Sequence, residues 1–320
     1  MKKLETKGLV TRMRSEKDER NLVVSITEEG EKLKEKAVEI LIVGGRREFM
    51  KQITDHIMKR RSVRTFDGRK LSEEDLEKLR SFMRTIENPY GIPVEFKFLH
   101  AKEHGLICPV VSGTELYVGG KIKNMPNANV AFGYSFEMLV LYAQSLGIGT
   151  VWLGGTMNRA AYEQAMELGA DEIMPCASPL GYPAKKMSLR EGTMRKAIKA
   201  DERLPLEELF FEGDFTTPLN KEKAGIFLQP LEMVRMAPSA VNKQPWRVVI
   251  SDNAAHFYLK RSKGFGHESD LDMQKIDLGI ALCHFALTAK QNGLDVRFTQ
   301  RDSISVSESD VEYIASYEIK

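Results

Sequence analysis

Three arginines and a serine lie within five residues in the segment RRSVRTF, which runs from Arg60 to Phe66. It directly follows an amphipathic stretch, FMKQITDHIMKRR, that predicts a helix. Planar guanidinium groups bind the oxygens of a phosphate group through paired hydrogen bonds. The segment therefore indicates a phosphate site at a helix end, although a solvated basic helix end has the same composition. The phosphate ligands predicted from it are Arg60, Arg61, Ser62 and Arg64.

A second polar segment, APSAVNKQPW, runs from Ala237 to Trp246. Its proline should break the preceding helix and set a tight loop. The serine, asparagine and glutamine that follow place hydrogen-bond donors and acceptors close together, as the polar edge of a flavin ring requires. A turn that covers the core with a tryptophan is the alternative. The predicted ligands are Pro238, Ser239, Ala240, Asn242 and Gln244.

A third segment, GTVWLGGT, contains two adjacent glycines. Glycine lets a backbone approach a flat ring closely, and the amide groups of such a turn can face a flavin. An ordinary turn between a strand and a helix would use glycines as well. The predicted contacts are Leu153, Gly154 and Gly155.

A fourth segment, LGYPAKK, runs from Leu180 to Lys186 and is followed by further basic residues. One of these residues could add a phosphate contact, but most are expected to be surface charges. The residues concerned are Arg190, Arg195, Lys196 and Arg203.

The bulk properties of the chain exclude several classes of protein. A length of 320 residues suits two domains or two fused halves. A net charge of +2 gives no overall field toward nucleic acid or an anionic membrane. Three isolated cysteines predict a reducing compartment, with neither a disulfide framework nor a zinc site. No signal peptide is expected at the N-terminus. These properties predict a cytoplasmic protein.

Two other features bear on metals and membranes. The most apolar stretch, residues 136–155, contains Glu137 and several glycines, which predicts a buried helix followed by a strand rather than a membrane span. His267 and Glu268 lack a second histidine four residues on, so we expect a loop there and no metal site. His284, on an apolar helix, is expected to be a hydrogen-bonded core residue.

Weak internal similarity divides the rest of the chain into two halves. The segment beginning LEKLR at Leu76 and the segment beginning LEMVR at Leu231 both predict a helix, a loop containing proline and then a strand. Residues 136–153 and 278–298 each predict an apolar helix that ends near a glycine before a strand. The same order in both halves indicates a pseudo-twofold relation with a cleft between them.

Taken together, the four segments resemble the FMN-dependent nitroreductase family over residues from about Phe49 to the C-terminus. The resemblance implies an α+β fold, with mixed or antiparallel sheets and helices packed between and around them. In that family, FMN lies at a homodimer interface. The arginine segment and the glycine turn come from one subunit, and the PSxxN loop comes from the other.

In this chain the arginine, glycine and LGYP segments all lie in the first half, and the APSAVNKQPW loop lies in the second. This division resembles the fused, single-chain branch of the family, the TM nitroreductase type, and implies one FMN per polypeptide. The expected domains are residues 1–45, a tail, and the two nitroreductase-like halves 46–215 and 216–320.

The resemblance also implies an activity, in which FMN takes a hydride from NAD(P)H and passes it through its N5 atom to a nitroaromatic compound, a quinone or a similar small acceptor. No side-chain catalyst is expected, because the flavin performs the chemistry. A flavin-binding homologue that is not a reductase remains an alternative. Both a monomer with pseudo-dimeric halves and a homodimer are compatible with the sequence.

The first forty residues resemble the wing of a MarR-type regulator, through LETKGLVTRMRSEKDERNLVVSITEEGEKL. Such a wing can contact phosphates through Arg12, Arg14 and Arg20, but it does not read bases in a major groove. Because no recognition helix is expected before Met1, a vestigial tail is favoured and nucleic acid is not expected as a partner. A redox-sensing DNA-binding regulator is the rival hypothesis.

Overall fold

The computed structural model describes residues 2–14, 22–251, 253–262, 270–300 and 311–320. The chain divides into two compact units, residues 1–49 and 50–320. The predicted positions of Arg20, His267 and Glu268 lie outside the described residues.

The first unit is a helix followed by a two-stranded hairpin and the start of a long helix. Its elements are α1 (Lys2–Thr6), β1 (Val10–Arg14), β2 (Leu22–Ile26) and α2 (Glu28–Lys51). The strands pair antiparallel. Thr27 caps α2, since its Oγ1 accepts a hydrogen bond from Gly30 N at 3.0 Å.

The long helix differs from the prediction at its other end. The proposed boundary after residue 45 falls inside α2, which continues to Lys51 because no proline interrupts it. The amphipathic stretch predicted as one helix from residue 49 to 61 is instead divided at Gln52, and α3 (Ile53–Lys59) begins after this residue.

The second unit starts with a half that contains the arginine, glycine and LGYP segments. Its elements are α3, α4 (Glu73–Met83), β3 (Glu95–His100), α5 (Ala101–His104), β4 (Leu116–Lys123), α6 (Ala128–Ser145), α7 (Arg159–Met166), β5 (Glu172–Ile173), β6 (Ala177–Leu180) and α8 (Leu189–Ala197). Ser72 is the N-cap of α4, as predicted, and its side chain accepts a hydrogen bond from Asp75 N. The sheet has the order β3-β4-β5, and β6 also pairs with β4; all of these pairings are antiparallel.

The remaining elements build a second sheet. They are α9 (Leu206–Leu209), β7 (Phe210–Glu212), α10 (Lys221–Ala224), a 3-10 turn (Gly225–Phe227), α11 (Leu228–Arg235), a second 3-10 turn (Ala240–Asn242), β8 (Trp246–Ser251), β9 (Ala254–Lys260), α12 (Met273–Gln291), β10 (Val296–Thr299) and β11 (Val311–Ile319). The strand order is β10-β11-β9-β8-β7, antiparallel except where β7 runs parallel to β8. The predicted α+β fold with mixed and antiparallel sheets is confirmed.

Helices α6 and α12 pack against each other in the centre of this unit. Both are apolar on nearly every side, as expected for helices that are buried all round. Two glycines allow their backbones to touch. A Cβ atom on Gly133 would lie 2.1 Å from the carbonyl oxygen of Ile276, and one on Gly279 would lie 2.0 Å from that of Val130. Any larger side chain at either glycine would push the helices apart.

The two contacts are reciprocal, because a shift of 146 positions converts Val130 to Ile276 and Gly133 to Gly279. The same shift relates the helix ends: Gly147 and Gly293 both have a φ of 73°. Each of these glycines closes its helix by a left-handed C-terminal turn. This correspondence is what a local twofold axis between α6 and α12 would produce.

We predict that Gly279→Ala lowers the free energy of unfolding by about 1–3 kcal/mol or more, because the added methyl group overlaps a backbone carbonyl that cannot move alone. Chemical denaturation measures the change. Gly192→Ala is the matched control, since its Cβ would approach only Met187 Sδ, at 3.9 Å, and alanine favours the helix α8. Equal stabilities of the two variants would contradict the assigned helix contact.

Candidate functional site

Backbone hydrogen bonds join the three segments of the first half to one another. Val63 N donates to Thr150 O at 2.8 Å, and Gly149 N donates to Gly181 O at 2.8 Å. Gly149 is needed for this approach, because a Cβ atom there would lie 2.9 Å from Val63 Cβ. The arginine, glycine and LGYP segments therefore form one continuous site wall.

The arginine segment is oriented by a buried carboxylate, Glu191, in the first turn of α8. Its Oε1 atom lies 3.3 Å from Arg61 Nη1, and its Oε2 atom accepts a hydrogen bond from Thr65 Oγ1 at 2.8 Å. These two contacts hold the side chains of Arg61 and Thr65. The side chain of Arg60 points inward, with only 6% of it exposed. Ser62 lies between them and is half-buried.

Four arginines lie within electrostatic range of one another, and we call Arg60, Arg64, Arg195 and Arg203 the arginine cluster. Arg195 and Arg203 belong to the group for which most members were expected at the surface. That expectation is right for Arg190 and Lys196, which are exposed. The other two members are less exposed: Arg203 is half-buried, and the side chain of Arg195 is 12% exposed.

The cluster contains buried donors that have no acceptor among the described residues. They are Arg60 Nε, Arg64 Nε, Arg64 Nη1 and Arg203 Nε. Leaving a buried charged donor without a partner costs several kcal/mol, so native proteins seldom do so without a ligand. The arrangement suits an anion with several oxygens, such as a phosphate group.

Burial and mutual repulsion both disfavour the charge of this cluster. The pKa of Arg60 is lowered first by burial and then by Arg195, against an opposing effect of Glu137. Burial and Arg195 also lower the pKa of Arg64, which Glu191 raises. Burial, followed by Arg60, lowers the pKa of Arg203. Since arginine stays protonated under all ordinary conditions, the cluster remains an excess of positive charge.

A second buried carboxylate, Glu137 of α6, lies behind the cluster. Its Oε1 atom is 3.0 Å from His284 Nε2 and 3.9 Å from Arg60 Nε, and its Oε2 atom accepts a hydrogen bond from Trp152 Nε1 at 3.0 Å. His284 also bonds to the carbonyl of Met233 at 2.8 Å through Nδ1. The prediction that His284 is a hydrogen-bonded core residue is confirmed, and Glu137 connects both halves.

The APSAVNKQPW loop holds an unusual backbone conformation. Val241, Asn242 and Gln244 have φ values of 50°, 55° and 50°, in the left-handed region. This conformation is costly for a β-branched residue such as Val241. Inside the loop, Ser239 Oγ accepts a hydrogen bond from Gln244 N at 2.8 Å. Such strain persists only where neighbouring contacts hold the loop in place.

Those contacts come from the segment that follows α8. Asn242 Nδ2 donates to the carbonyls of Lys199 and Glu202, at 2.7 and 3.0 Å, and Gln244 Oε1 accepts from Leu204 N at 2.9 Å. We call these contacts the amide latch. The side chains of Asn242 and Gln244 were predicted to face the ring or ribityl chain, and they instead form hydrogen bonds with the backbone of residues 199–204. Asn242 Oδ1 also lies 3.4 Å from Arg203 Nη1.

A buried aspartate fixes the other end of the loop. Ala240 N donates to both carboxylate oxygens of Asp277 on α12, at 3.0 and 3.1 Å. Burial raises the pKa of Asp277 well above its usual range, and the backbone donor opposes this shift. Pro238 lies half-buried at the start of the loop.

The glycine turn faces two directions. Leu153 is buried in the core, and its N–H and C=O groups pair with Ala177 at 2.9 and 3.0 Å. Gly154 approaches α12, since a Cβ atom there would lie 2.6 Å from Met273 Cε, and its carbonyl accepts a hydrogen bond from Arg159 at 2.7 Å. Gly155 is exposed, and a Cβ atom on it would meet nothing. Gly154 and Gly155 are therefore the accessible part of this turn.

Other kinds of site find no support in the residues described. In the described ranges, no group of three or more potential metal ligands occurs. Cys108, Cys176 and Cys283 are free and buried. No helix among the described residues is both long and apolar enough to cross a bilayer.

Comparisons with known proteins match both parts of the chain. A family model described as "Putative TM nitroreductase" matches residues 52–289, and one described as "Transcriptional regulator SarA/Rot" matches residues 1–37. The organic hydroperoxide resistance transcriptional regulator of Bacillus subtilis (strain 168) is 58% identical over 40 residues, which are 12% of this chain. The chain spans 27% of the length of that regulator.

Solved structures resemble the second unit. The crystal structure of a "putative nitroreductase" from Thermotoga maritima aligns with a TM-score of 0.54 and 20% identity, covering 83% of this chain and 91% of that one. This likeness supports the fold. An FMN-dependent nitroreductase from Clostridium difficile R20291 aligns with a TM-score of 0.34 and 16% identity over 44% of this chain and 94% of its own. That score is too low to carry an argument.

We predict that Asn242→Gly loosens the turn held by the amide latch, because it removes three side-chain hydrogen bonds but keeps the left-handed backbone. Trypsin should then cleave after Lys199 or Arg203 at least about tenfold faster, since a loss of 1–2 kcal/mol increases local opening by that order. Asn253→Gly is the control, because Asn253 also has a positive φ, of 60°, and is exposed. Unchanged cleavage of Asn242→Gly would contradict the latch.

Proposed function

The chain belongs to the TM nitroreductase family, whose model matches residues 52–289, and from this membership and the arginine cluster we propose that it is an FMN-dependent oxidoreductase. The observation that carries the proposal is the set of buried guanidinium donors without acceptors, on Arg60, Arg64 and Arg203. A phosphate monoester would supply the missing acceptors and the missing negative charge in one group.

Each part of the proposed site has a distinct task. Arg60, Arg64 and Arg203 would bind the phosphate, with Arg195 adding positive charge and Arg61 and Ser62 at the rim. The accessible amides of Gly154 and Gly155 would approach the ring, as would the loop from Pro238 to Gln244. When bound, FMN supplies hydride transfer between a nicotinamide and an acceptor. The chain itself binds, orients and shields the ring.

The latch changes how the loop is proposed to contribute. Because the amides of Asn242 and Gln244 bind residues 199–204, these side chains would act by holding Arg203 beside the phosphate. Pro238, Ser239 and Ala240 follow the end of α11, and this part of the loop would lie beside the ring, with Ala240 N held by Asp277. Leu153 would support the glycine turn from the core.

We propose one FMN site per chain. The cluster takes Arg60, Arg64, Arg195 and Arg203 from the first half, while the loop comes from the second half. The reciprocal contact of Gly133 and Gly279 supports two halves related by a local twofold. The mirror position for the arginine segment, residues 213–227, contains no arginine, so it lacks the donors that a second phosphate would need.

For the reaction, we propose NAD(P)H as electron donor and a nitroaromatic compound, a quinone or a similar small molecule as acceptor. Anaerobic titration with NADH and with NADPH tests the donor, since bleaching of the flavin absorbance reports reduction directly. A protein that binds FMN but is bleached by neither nicotinamide would instead fit a flavoprotein that is not a reductase.

We predict that the purified protein is yellow, with about one FMN per chain. Combining Arg60→Ala with Arg64→Ala should weaken FMN binding by on the order of a hundredfold or more, because charge-assisted contacts to the phosphate are lost. Fluorescence titration of the apoprotein with FMN measures the change. Arg84→Ala, at an exposed position, is the control. A colourless wild-type protein that ignores added FMN would refute the proposal.

The N-terminal hairpin favours a second candidate function, in which the first unit contacts nucleic acid. The observation is the match of residues 1–37 to regulators, over a helix, a hairpin and the start of α2. A gel-shift experiment with the full chain distinguishes the two candidates: sequence-specific binding at physiological salt would favour a regulator.

A further inference from the structure

The proposed FMN site does not explain why Arg60 and the neighbouring carboxylate of Glu137 form no hydrogen bond. Its guanidinium is buried beside Glu137, yet the two groups do not form a hydrogen bond, since their nearest atoms are 3.9 Å apart and Arg60 Nε has no partner. A buried carboxylate normally closes on an adjacent arginine with paired contacts. Something therefore keeps the carboxylate away from Arg60.

The hydrogen bonds of Glu137 explain the separation. Trp152 Nε1 binds Oε2 and His284 Nε2 binds Oε1, each at 3.0 Å, so each oxygen already has a hydrogen-bond donor other than Arg60. Glu137 and His284 are completely buried, and in the described part of the chain Trp152 and His284 are the hydrogen-bond partners of the carboxylate. The carboxylate is fixed between the glycine turn of the first half and α12 of the second.

The position of the protons on His284 follows from its partners. A backbone carbonyl can only accept, so the contact of Nδ1 with Met233 O requires a proton on Nδ1. A second proton must lie between Nε2 and Glu137 Oε1, because two lone pairs would repel each other at 3.0 Å. The pair is then neutral overall, as imidazolium with carboxylate or as imidazole with carboxylic acid.

We propose that Glu137 and His284 share this one proton and act as a neutral positioning unit, so that no carboxylate hydrogen-bonds to Arg60 Nε and this donor stays available to the phosphate of FMN. This inference rests on the proposed function. Without the shared proton, the carboxylate would cancel the charge of Arg60. With the shared proton, the hydrogen bonds of the pair hold Trp152 and α12 in place, and the positive charge of the cluster stays available to an anion.

The proposal makes opposite predictions for two substitutions. His284→Gln removes the shared proton and leaves the carboxylate of Glu137 to pair with Arg60, so FMN affinity should fall roughly tenfold or more. Glu137→Gln keeps the shape and the hydrogen bonds, with an amide donating to His284 Nε2, and stays neutral. Its FMN affinity should remain within about threefold of the wild type.

The double variant provides the decisive comparison. Combining Glu137→Gln with His284→Gln removes the unpaired carboxylate and should restore FMN affinity to within about threefold of the wild type. A merely structural role predicts that the double variant binds no better than His284→Gln. Three results would overturn the proposal. The double variant could bind FMN no better than His284→Gln, Glu137→Gln and His284→Gln could weaken binding equally, or His284→Gln could bind FMN as well as the wild type. Circular dichroism of each variant checks the fold, and His284→Asn replaces His284→Gln, alone or combined with Glu137→Gln, if that variant fails to fold.

A ligand-free measurement separates this proposal from the proposed function. In the apoprotein, nitrogen-15 spectra of labelled histidine and carbon-13 spectra of the labelled Glu137 carboxyl should together show one shared proton: both nitrogens of His284 protonated beside a carboxylate, or an unprotonated Nε2 beside a carboxylic acid. In Glu137→Gln, Nε2 should become an unprotonated acceptor. An unprotonated Nε2 beside an ionised Glu137 in the wild type would overturn the inference, whatever the protein binds. Failure of the wild type to bind FMN would refute the proposed function alone.

Discussion

The close crossing of α6 and α12 sets the geometry on which the proposed site depends. At Gly133 and Gly279 the helix backbones touch, and this contact fixes the distance between side chains one turn further along. Glu137 and His284 lie there, and their hydrogen bond joins the two halves at a completely buried position. Trp152 and Met233 attach the glycine turn and α11 to the same pair. The arginine segment, the glycine turn and the polar loop are thus positioned relative to one pair of helices.

The proposed site is costly for the folded chain in the absence of a ligand. Burial of Arg60, Arg64 and Arg203 opposes their charge, and their neighbours repel them. The loop adds three left-handed residues, among them the β-branched Val241. Glu191, Asp277 and the amide latch hold these groups in place through hydrogen bonds. Destabilising groups that are held in place by surrounding hydrogen bonds are typical of a binding site rather than of a packed core.

Local patterns predicted much of this architecture. The caps Thr27 and Ser72, the apolar helices and the grouping of three segments in one half follow from short-range chemistry in the sequence. Contacts over long distances in the chain did not follow. Glu137 and His284 are separated by 147 positions, and nothing local distinguishes a paired acid from an isolated one. The latch was missed for a similar reason: side-chain amides suit a ring edge and a backbone turn equally well. The burial of Arg203 depends on that latch, so its basic surroundings in sequence indicated a surface position.

Each chain is proposed to hold one FMN site, with its phosphate ligands in the first half and its polar loop in the second. Isothermal titration of FMN into the apoprotein tests it most directly, because the method gives the stoichiometry without reference to any reaction. We predict a single class of site with one FMN per polypeptide. Two equivalent sites per chain, or no binding, would contradict the account.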